Sequence, residues 1–133
     1  MKEISLYVCK KCGNLIEVLN DNPTLKLNCC NEEMQKIVAN TTDAAIEKHV
    51  PVINIEGNLV YIKVGEIMHP MTEEHYIQAI YVVDDLGNMQ KIVLTPNDNP
   101  EISVKINDNA KKLNVYSYCN LHGLWKCEID FKK

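Results

Sequence analysis

Cysteine and histidine side chains are grouped in this 133-residue sequence in a way that suits the binding of metal ions. Four of the six cysteines lie between positions 9 and 30, and all four histidines follow residue 40. Thiolates and imidazoles are both good ligands for zinc and iron, so the two groups predict two separate metal sites. The residues concerned are Cys9, Cys12, Cys29, Cys30, His49, His69, His75, Cys119, His122 and, outside both sites, Cys127.

The first predicted site consists of four thiolates in two pairs. Cys9-Lys10-Lys11-Cys12-Gly13 has the two-residue gap of a metal knuckle, in which backbone amides can hydrogen-bond the bound sulfurs. Cys29 and Cys30 follow as an adjacent pair, and four thiolates suit a tetrahedral ion, either zinc or a single iron. A zinc ribbon is an alternative, although its second pair usually also has a two-residue gap. A strained disulfide between Cys29 and Cys30 is a further alternative.

The second predicted site gathers every histidine in the sequence. A single histidine is more often a surface or core residue than a ligand, so each position alone is a weak signal. The set is stronger, because His49, His69 and His75 are expected at strand ends or in loops, and His122 follows Cys119 at the spacing of a metal knuckle. Five protein ligands exceed the tetrahedral shell of zinc and suit a nearly octahedral metal with one open position.

The elements that must position these residues are predicted to be β-strands. Short alternating runs separated by turn residues predict seven strands after residue 40, which is typical of an immunoglobulin-like sandwich. We therefore predict an all-β protein with a small metal-knuckle domain at 1–37 and a seven-stranded β-sandwich at 41–133. The strands are predicted at 50–56, 59–64, 75–83, 89–95, 101–106, 113–119 and 125–131.

Three local features complete this prediction. A module of about 37 residues is too small to fold by core burial alone, so bound metal and pairing into a homodimer would both stabilise it. Residues 39–43 are predicted to be the junction, with Thr42 or Asp43 capping a short helical turn through Ile46. Cys127 lies on the apolar face of the last predicted strand, which favours a buried, unreactive thiol.

Composition limits the classes of partner and compartment. The net charge of −4 and the pI of about 5.5 argue against nucleic acid as a partner. No apolar run approaches the ~18 residues needed to span a bilayer, and no targeting segment is visible, so we expect no membrane partner. Cysteines in a cytoplasmic chain favour metal binding over structural disulfides, and the cytoplasm is the expected compartment. An anionic substrate would need local positive charge at its site.

These motifs resemble a known family. The Glu47-Lys48-His49-Val50-Pro51 run, the His69-Pro70-Met71…His75 pair and the Cys119-Asn120-Leu121-His122-Gly123 run resemble the superoxide reductases. The amino-terminal cysteines resemble desulforedoxin, and the whole chain resembles the two-iron desulfoferrodoxin family. The resemblance implies a desulforedoxin-like iron module followed by a neelaredoxin-like domain. In that domain it implies an iron held by four equatorial histidines and axial Cys119, with His122 binding through Nδ1 and the other histidines through Nε2.

The resemblance also implies a function. Superoxide would be reduced to hydrogen peroxide at the histidine-rich iron, with electrons from a rubredoxin-like donor. Glu47 is expected to become the sixth ligand after turnover, and Lys48 to attract superoxide to the open position. Formal charge supports the division of roles, because ferrous iron with four thiolates is doubly negative and closed, whereas four neutral imidazoles and one thiolate leave it singly positive. A non-catalytic two-iron electron carrier and a weak superoxide dismutase are the alternatives.

Overall fold

The chain divides into two compact units, which the computed structural model describes for residues 1–41 and 44–131. The smaller unit is Glu3–Val38, and the larger comprises Met1–Lys2 and Ala39–Lys133. Apart from one four-residue helix, the regular structure of the described residues consists of β-strands. The predicted all-β class is therefore confirmed.

The smaller unit contains five very short strands. β1 (Leu6–Val8) lies between β2 (Leu15–Glu17) and β5 (Gln35–Lys36) in an antiparallel sheet, while β3 (Asn28–Cys29) and β4 (Glu32–Glu33) form a separate hairpin. Burial is correspondingly slight. The buried apolar side chains described in this unit are Ile4, Leu6, Cys9 and Met34.

A polar cluster compensates in part for this small core. The Tyr7 hydroxyl donates to the Asp21 carboxylate at 2.7 Å, and the Lys36 ammonium lies 2.8 Å from the second carboxylate oxygen. The neighbouring Lys36 and the Tyr7 hydrogen bond hold the pKa of Asp21 below its usual value. The cluster ties the loop that carries Asp21 to β1 and β5 of the small sheet.

The larger unit is a sandwich of two antiparallel sheets. Three strands form one sheet in the order β10-β7-β6, and four form the other in the order β12-β11-β8-β9. All seven predicted strands are present, with ends that differ from the prediction by a few residues. Their bounds are β6 Pro51–Glu56, β7 Leu59–Val64, β8 Ile77–Asp84, β9 Met89–Val93, β10 Glu101–Lys105, β11 Lys112–Cys119 and β12 Gly123–Asp130.

The core of the sandwich follows from the alternation of these strands. On β7, Val60, Ile62 and Val64 are almost wholly buried while the residues between them are exposed, as one-sided packing requires. They pack in one apolar cluster with side chains of β8 and β11 from the facing sheet. Each fully buried aliphatic side chain contributes about 1.5–3 kcal/mol of transfer free energy, so this unit has a large apolar source of stability.

The one helix among the residues that the structure describes, α1, spans Ile46–His49 and precedes β6. Ala45 is its N-cap residue and provides no side-chain cap hydrogen bond. The predicted caps, Thr42 and Asp43, lie outside the described residues. Among those described, no helix is long and apolar enough to cross a membrane.

Candidate metal centres

The first knuckle is a tight turn closed by backbone hydrogen bonds. The Gly13 N–H donates to the Cys9 carbonyl at 2.8 Å, and the Cys9 N–H donates to the Asn14 carbonyl at 2.9 Å. Gly13 has φ of +80°, a conformation that glycine adopts without steric cost. Backbone N–H groups of Cys12 and Lys11 hydrogen-bond the Cys9 sulfur and help to lower its pKa to about 7. The turn therefore favours a thiolate at Cys9.

The adjacent cysteines are explained by the turn between β3 and β4. Cys29 pairs with Glu32 at the end of the ladder, which leaves Cys30 and Asn31 as the two turn residues. Their φ values are +53° and +62°, the signature of a type I′ hairpin turn. Cys29 thus ends a strand and Cys30 occupies the turn itself, so two consecutive residues present both sulfurs to the knuckle.

Four sulfurs converge in this unit. The Sγ atoms of Cys9, Cys12, Cys29 and Cys30 all lie within 4.8 Å of one another. Cys12 and Cys29 are 3.5 Å apart, and Cys29 and Cys30 are 4.0 Å apart. A tetrahedron with metal–sulfur bonds of about 2.3 Å separates its sulfurs by about 3.8 Å. We call this group the four-thiolate site. Its cysteines are free, so the alternative of a Cys29–Cys30 disulfide is wrong.

The five residues predicted for the second site reach it from separate segments of the sandwich. His49 is the last residue of α1, His69 lies in the loop after β7, and His75 lies in the loop before β8. Cys119 ends β11, and His122 lies in the turn to β12. His49 was expected at a strand end or in a loop and is instead at a helix end.

The four imidazoles form a square. Neighbouring ring centroids are 4.7 Å apart for His49–His69 and His69–His75, 5.0 Å for His75–His122 and 4.9 Å for His122–His49. The diagonal pair His49–His75 is longer, at 6.4 Å, as opposite corners require. Neighbouring rings stand at 72–88° to each other. We call this group the histidine square; its geometry suits four equatorial nitrogen ligands.

Hydrogen bonds to backbone carbonyls fix which ring nitrogens of two histidines face the centre of the square. The Nδ1 atoms of His49 and His69 lie 2.6 Å from the Ala45 carbonyl oxygen and 2.7 Å from the Pro70 carbonyl oxygen. Each Nδ1 therefore carries the proton, which leaves Nε2 as the free lone pair. Nε2 of His69 is buried with no hydrogen-bond partner, and so is Nε2 of His75. Buried acceptors without a hydrogen-bond donor fit the binding of a metal ion at this position.

His122 turns its Nδ1, and not its Nε2, toward the other donor atoms. Its Nδ1 lies 3.1 Å from the His49 Nε2 and 3.9 Å from the Cys119 sulfur. The donor atoms of His49, His75, Cys119 and His122 lie within 4.8 Å of one another, and the His69 ring completes the square. This is the pattern of ring nitrogens that the family resemblance implied.

Burial keeps the three inward Nε2 histidines neutral. Desolvation lowers the pKa of His69 to about 4, and it also lowers the pKa values of His49 and His75. Neutral imidazole is the form that binds metal. His49, His69 and His75 are therefore in their metal-binding protonation state at neutral pH.

The thiol of Cys119 is fully buried next to the square. Burial raises its pKa, and the backbone N–H groups of Leu121 and His122 act in the opposite direction by hydrogen-bonding the sulfur. A β-bulge between Tyr118 and Cys119 shifts the register, so that Cys119 pairs with Ile77. The irregularity thus falls at the residue that presents the thiolate.

The donor sets of the two sites fit two iron centres. Four thiolates in a tetrahedron form a closed shell, and four nitrogens with one sulfur leave room for a sixth ligand. The second set has one donor more than the usual structural zinc site. The chemistry of the ligands therefore separates a closed site from an open one.

Glu47 and Lys48 are exposed on α1, directly before His49. The positive charge of Lys48 contributes to lowering the pKa values of both His49 and His75, whereas the negative charge of Glu47 raises that of His49. The Lys48 ammonium therefore acts on two rings at opposite corners of the square. Cys127 is only half-buried, in contrast to the buried thiol predicted, although burial does raise its pKa.

Three residues around the square were not predicted as functional. Trp125 stacks on the His49 ring at 4.9 Å and donates its indole N–H to the His122 carbonyl, while the buried Ser117 hydroxyl donates to the His49 carbonyl. Asn120 bonds to the loop that carries His75. The only sequence signal for Asn120 and Trp125 is their position within and beside the Cys-x-x-His motif. For Ser117, the only sequence signal is a polar residue at a core-facing strand position.

Comparison with known proteins agrees with this architecture. The family model described as Desulfoferrodoxin matches residues 41–128. A desulfoferrodoxin from Clostridium acetobutylicum is 45% identical over 127 residues, which cover 96% of this chain and 98% of that protein. The crystal structure of the superoxide reductase from Treponema pallidum matches with a TM-score of 0.77 and 32% identity over 95% of this chain and 99% of that one. A one-iron superoxide reductase from Giardia intestinalis matches 64% of this chain and 99% of its own, with a TM-score of 0.55 and 35% identity.

The fold and the two donor sets define a β-sandwich metalloprotein with an additional cysteine-knuckle module. On these matches the chain belongs to the desulfoferrodoxin family.

Proposed function

We propose that this protein is a superoxide reductase with iron at both sites. The observation that carries the proposal is the histidine square with a buried thiol beside it and inward lone pairs on its rings. The relatives and structural neighbours named as superoxide reductases support the same activity. In the proposal, His49, His69, His75, His122 and Cys119 hold the reactive iron, and the four-thiolate site holds the other. Zinc could replace iron at the four-thiolate site.

The square would hold a ferrous ion, which would supply the one electron that, with two protons, converts superoxide to hydrogen peroxide. The chain contributes the electrostatics of that step. A ferrous ion held by four neutral imidazoles and a single thiolate would give the site a positive formal charge toward an anion, although the whole chain carries −4. Cys119 would be the thiolate ligand of that ion and would donate electron density to it, and the Leu121 and His122 amides would limit that donation by hydrogen-bonding the sulfur.

The two charged residues of α1, Glu47 and Lys48, have separate roles in the proposal. Lys48 attracts superoxide and orders the water that delivers protons, because its charge acts at the square. Glu47, one residue earlier, would serve as a further ligand of the ion after turnover. An anionic substrate and an acidic ligand would then use the same face of the site at different stages.

Electron supply and assembly are also part of the proposal. The reactive site must be reduced again after each turnover, and a small rubredoxin-like protein of the cytoplasm is the proposed donor. The small unit has few buried apolar side chains, so pairing of two chains into a homodimer would give it more core.

The proposal is tested by counting products. Superoxide is added under low oxygen to the fully reduced protein, and hydrogen peroxide and oxygen are measured. One peroxide for each superoxide consumed, without oxygen, is the expected result. Half that yield with oxygen evolved would assign a dismutase instead, and no faster loss of superoxide than in buffer would leave only an electron carrier.

A further inference from the structure

We propose that Asn120 is the positioning residue for His75, because it fastens the loop that carries this ligand to the turn that carries Cys119 and His122. The inference rests on the proposed function only in taking these three residues as ligands of one ion. Asn120 itself is not proposed to touch the ion or the substrate.

Asn120 makes three hydrogen bonds to the His75 loop. Its side-chain oxygen accepts from the Tyr76 N–H at 3.0 Å, its side-chain nitrogen donates to the Glu74 carbonyl at 3.0 Å, and its own N–H donates to the Tyr76 carbonyl at 3.2 Å. The residues contacted are the two neighbours of His75. The amide therefore fixes the backbone on both sides of the ligand.

The position of the His75 ring depends on such an outside contact more than the positions of the His49 and His69 rings do. Backbone carbonyls hold the rings of His49 and His69 directly at Nδ1. None of the described residues hydrogen-bonds the His75 ring, whose buried Nε2 has no partner. The position of the His75 ring must therefore be set by its backbone. Within its own loop, that backbone is held by a turn with Thr72, through mutual backbone bonds of 3.0 and 3.1 Å.

The sheet itself does not supply this connection. The ladder between β8 and β11 ends at the pair Cys119–Ile77, directly after the bulge. His75 lies beyond that last pair, so no strand pairing fixes its distance from Cys119. Beyond the ladder, one backbone bond from the Asn120 N–H to the Tyr76 carbonyl remains, and the two-armed side chain of Asn120 adds the other two bonds. Residues that orient metal ligands from outside the coordination shell typically contribute 10- to 100-fold in metal affinity.

The test compares two matched substitutions. Asn120→Asp replaces the donor arm to Glu74 with an oxygen that repels the carbonyl. Asn40→Asp removes an equivalent arm, because the Asn40 side chain donates to the Lys126 carbonyl at 3.2 Å and accepts from the Lys126 N–H at 2.8 Å. Both substitutions add one negative charge. A negative charge by itself would help to retain a cation, so faster metal loss from the Asn120 variant cannot be a charge effect.

Iron-loaded full-length proteins are challenged with excess EDTA, and the thiolate-to-iron absorption of the second site is followed with time. We expect Asn120→Asp to lose this absorption roughly 10 to 100 times faster than the parent protein, and Asn40→Asp to match the parent. Equal rates for the two variants would overturn the proposal.

A double-mutant cycle with His75→Ala shows whether Asn120 acts through that ligand. We expect Asn120→Asp to add little to the rate of metal loss once His75 is absent. An equally large effect in the His75→Ala protein would overturn the proposal, because Asn120 would then act on another ligand. Product counting with superoxide tests the proposed function separately, so either idea can fail alone.

Folding is checked on the metal-free proteins by far-ultraviolet circular dichroism. Asn120→Ala, which removes both side-chain arms without adding charge, is the second variant. It should also lose iron faster while keeping the spectrum of the parent protein stripped of metal. If neither variant folds without metal, Asn120 serves the fold as a whole and the assignment to His75 is wrong.

Discussion

The two metal sites of this chain are built in opposite ways. The four-thiolate site is assembled from two turns of a unit with almost no core, with Cys12 and Cys29 only 17 positions apart. The histidine square joins side chains from distant segments, with His49 and His122 separated by 73 positions. We therefore expect the first site to need its metal in order to fold, and the second to be positioned by a fold that forms without metal.

The two sites also differ in how far their candidate ligands are exposed to solvent. Cys12 and Cys30 are exposed, whereas His49, His69 and Cys119 are almost wholly buried. An exposed closed shell suits electron exchange with a partner protein, and a buried set of donors with one open position suits a small substrate. Metal removal, ligand substitution, backbone disruption and charge removal each test one part of this contrast.

The largest expected effect is that of metal removal on the small unit. Stripping both metals should unfold Glu3–Val38 and leave the sandwich folded, because structural metal binding provides about 10–16 kcal/mol in comparable small modules. Hydrogen–deuterium exchange should show loss of protection in β1, β2 and β5 but not in β7, β8 and β11. Adding zinc should restore protection in the small unit. Continued protection of β1 without metal would show that the small unit has a sufficient core of its own.

Single ligand substitutions should separate the two sites. Cys12→Ser should abolish the absorption of the four-thiolate site and leave single-turnover reduction of superoxide intact. Cys119→Ser should leave the absorption of the four-thiolate site intact and abolish single-turnover reduction, since it removes the thiolate that lies beside the histidine square. Stopped-flow spectroscopy and metal analysis measure both effects, with Cys127→Ser as a control that should change neither. Loss of single turnover in Cys12→Ser would contradict the division of roles.

A backbone substitution should disturb the histidine square through the fold. Gly65 has φ of +85°, and an added Cβ would overlap the Ile67 carbonyl oxygen and lie 2.6 Å from that of Lys48. The loop that leads to His69 is held against α1 here, since the Ile67 N–H donates to the Glu47 carbonyl at 3.1 Å. Gly65→Ala should lower the free energy of unfolding of the sandwich by on the order of 3 kcal/mol, from left-handed strain and steric overlap together.

Gly57→Ala is the matched control for that substitution. Gly57 also has positive φ, +62°, but a Cβ added there would meet no atom within 4 Å beyond its chain neighbours. Its cost should be the conformational one alone, about 1–2 kcal/mol. Denaturant unfolding of the metal-free proteins measures both changes. Equal losses would show that the close approach at Gly65 relaxes without cost.

The sequence allowed the seven strands and the ligand candidates to be predicted, because both depend on local patterns. Alternation placed β7 at its observed bounds, and the spacing from Cys119 to His122 marked a turn. The supporting contacts could not be predicted in this way. Trp125, Ser117 and Asn120 contact the candidate ligands or their loops through backbone groups whose positions are set by strand register and by the bulge at Cys119.

The remaining differences from the prediction also have physical causes. β8 begins at Ile77 and not at His75, because Thr72 and His75 close a turn on each other. β12 begins at Gly123, two residues earlier than predicted, because Gly123 pairs with Cys119, the last residue of β11. Cys127 is half-buried because β12 is the last strand in its sheet, and its side chain borders an open groove with Glu47 and Glu128.

The smallest expected effect is that of a single charge at the open site. Lys48→Ile should slow the bimolecular reaction of the reduced protein with superoxide about tenfold at low salt and flatten its dependence on ionic strength. Lys63→Ile on β7 makes the same change in net charge at an exposed position and should leave the rate unchanged. Pulse radiolysis at several salt concentrations measures both variants. If both lysines affect the rate equally, superoxide responds to the net charge of the chain and the contrast between the two metal sites owes nothing to Lys48.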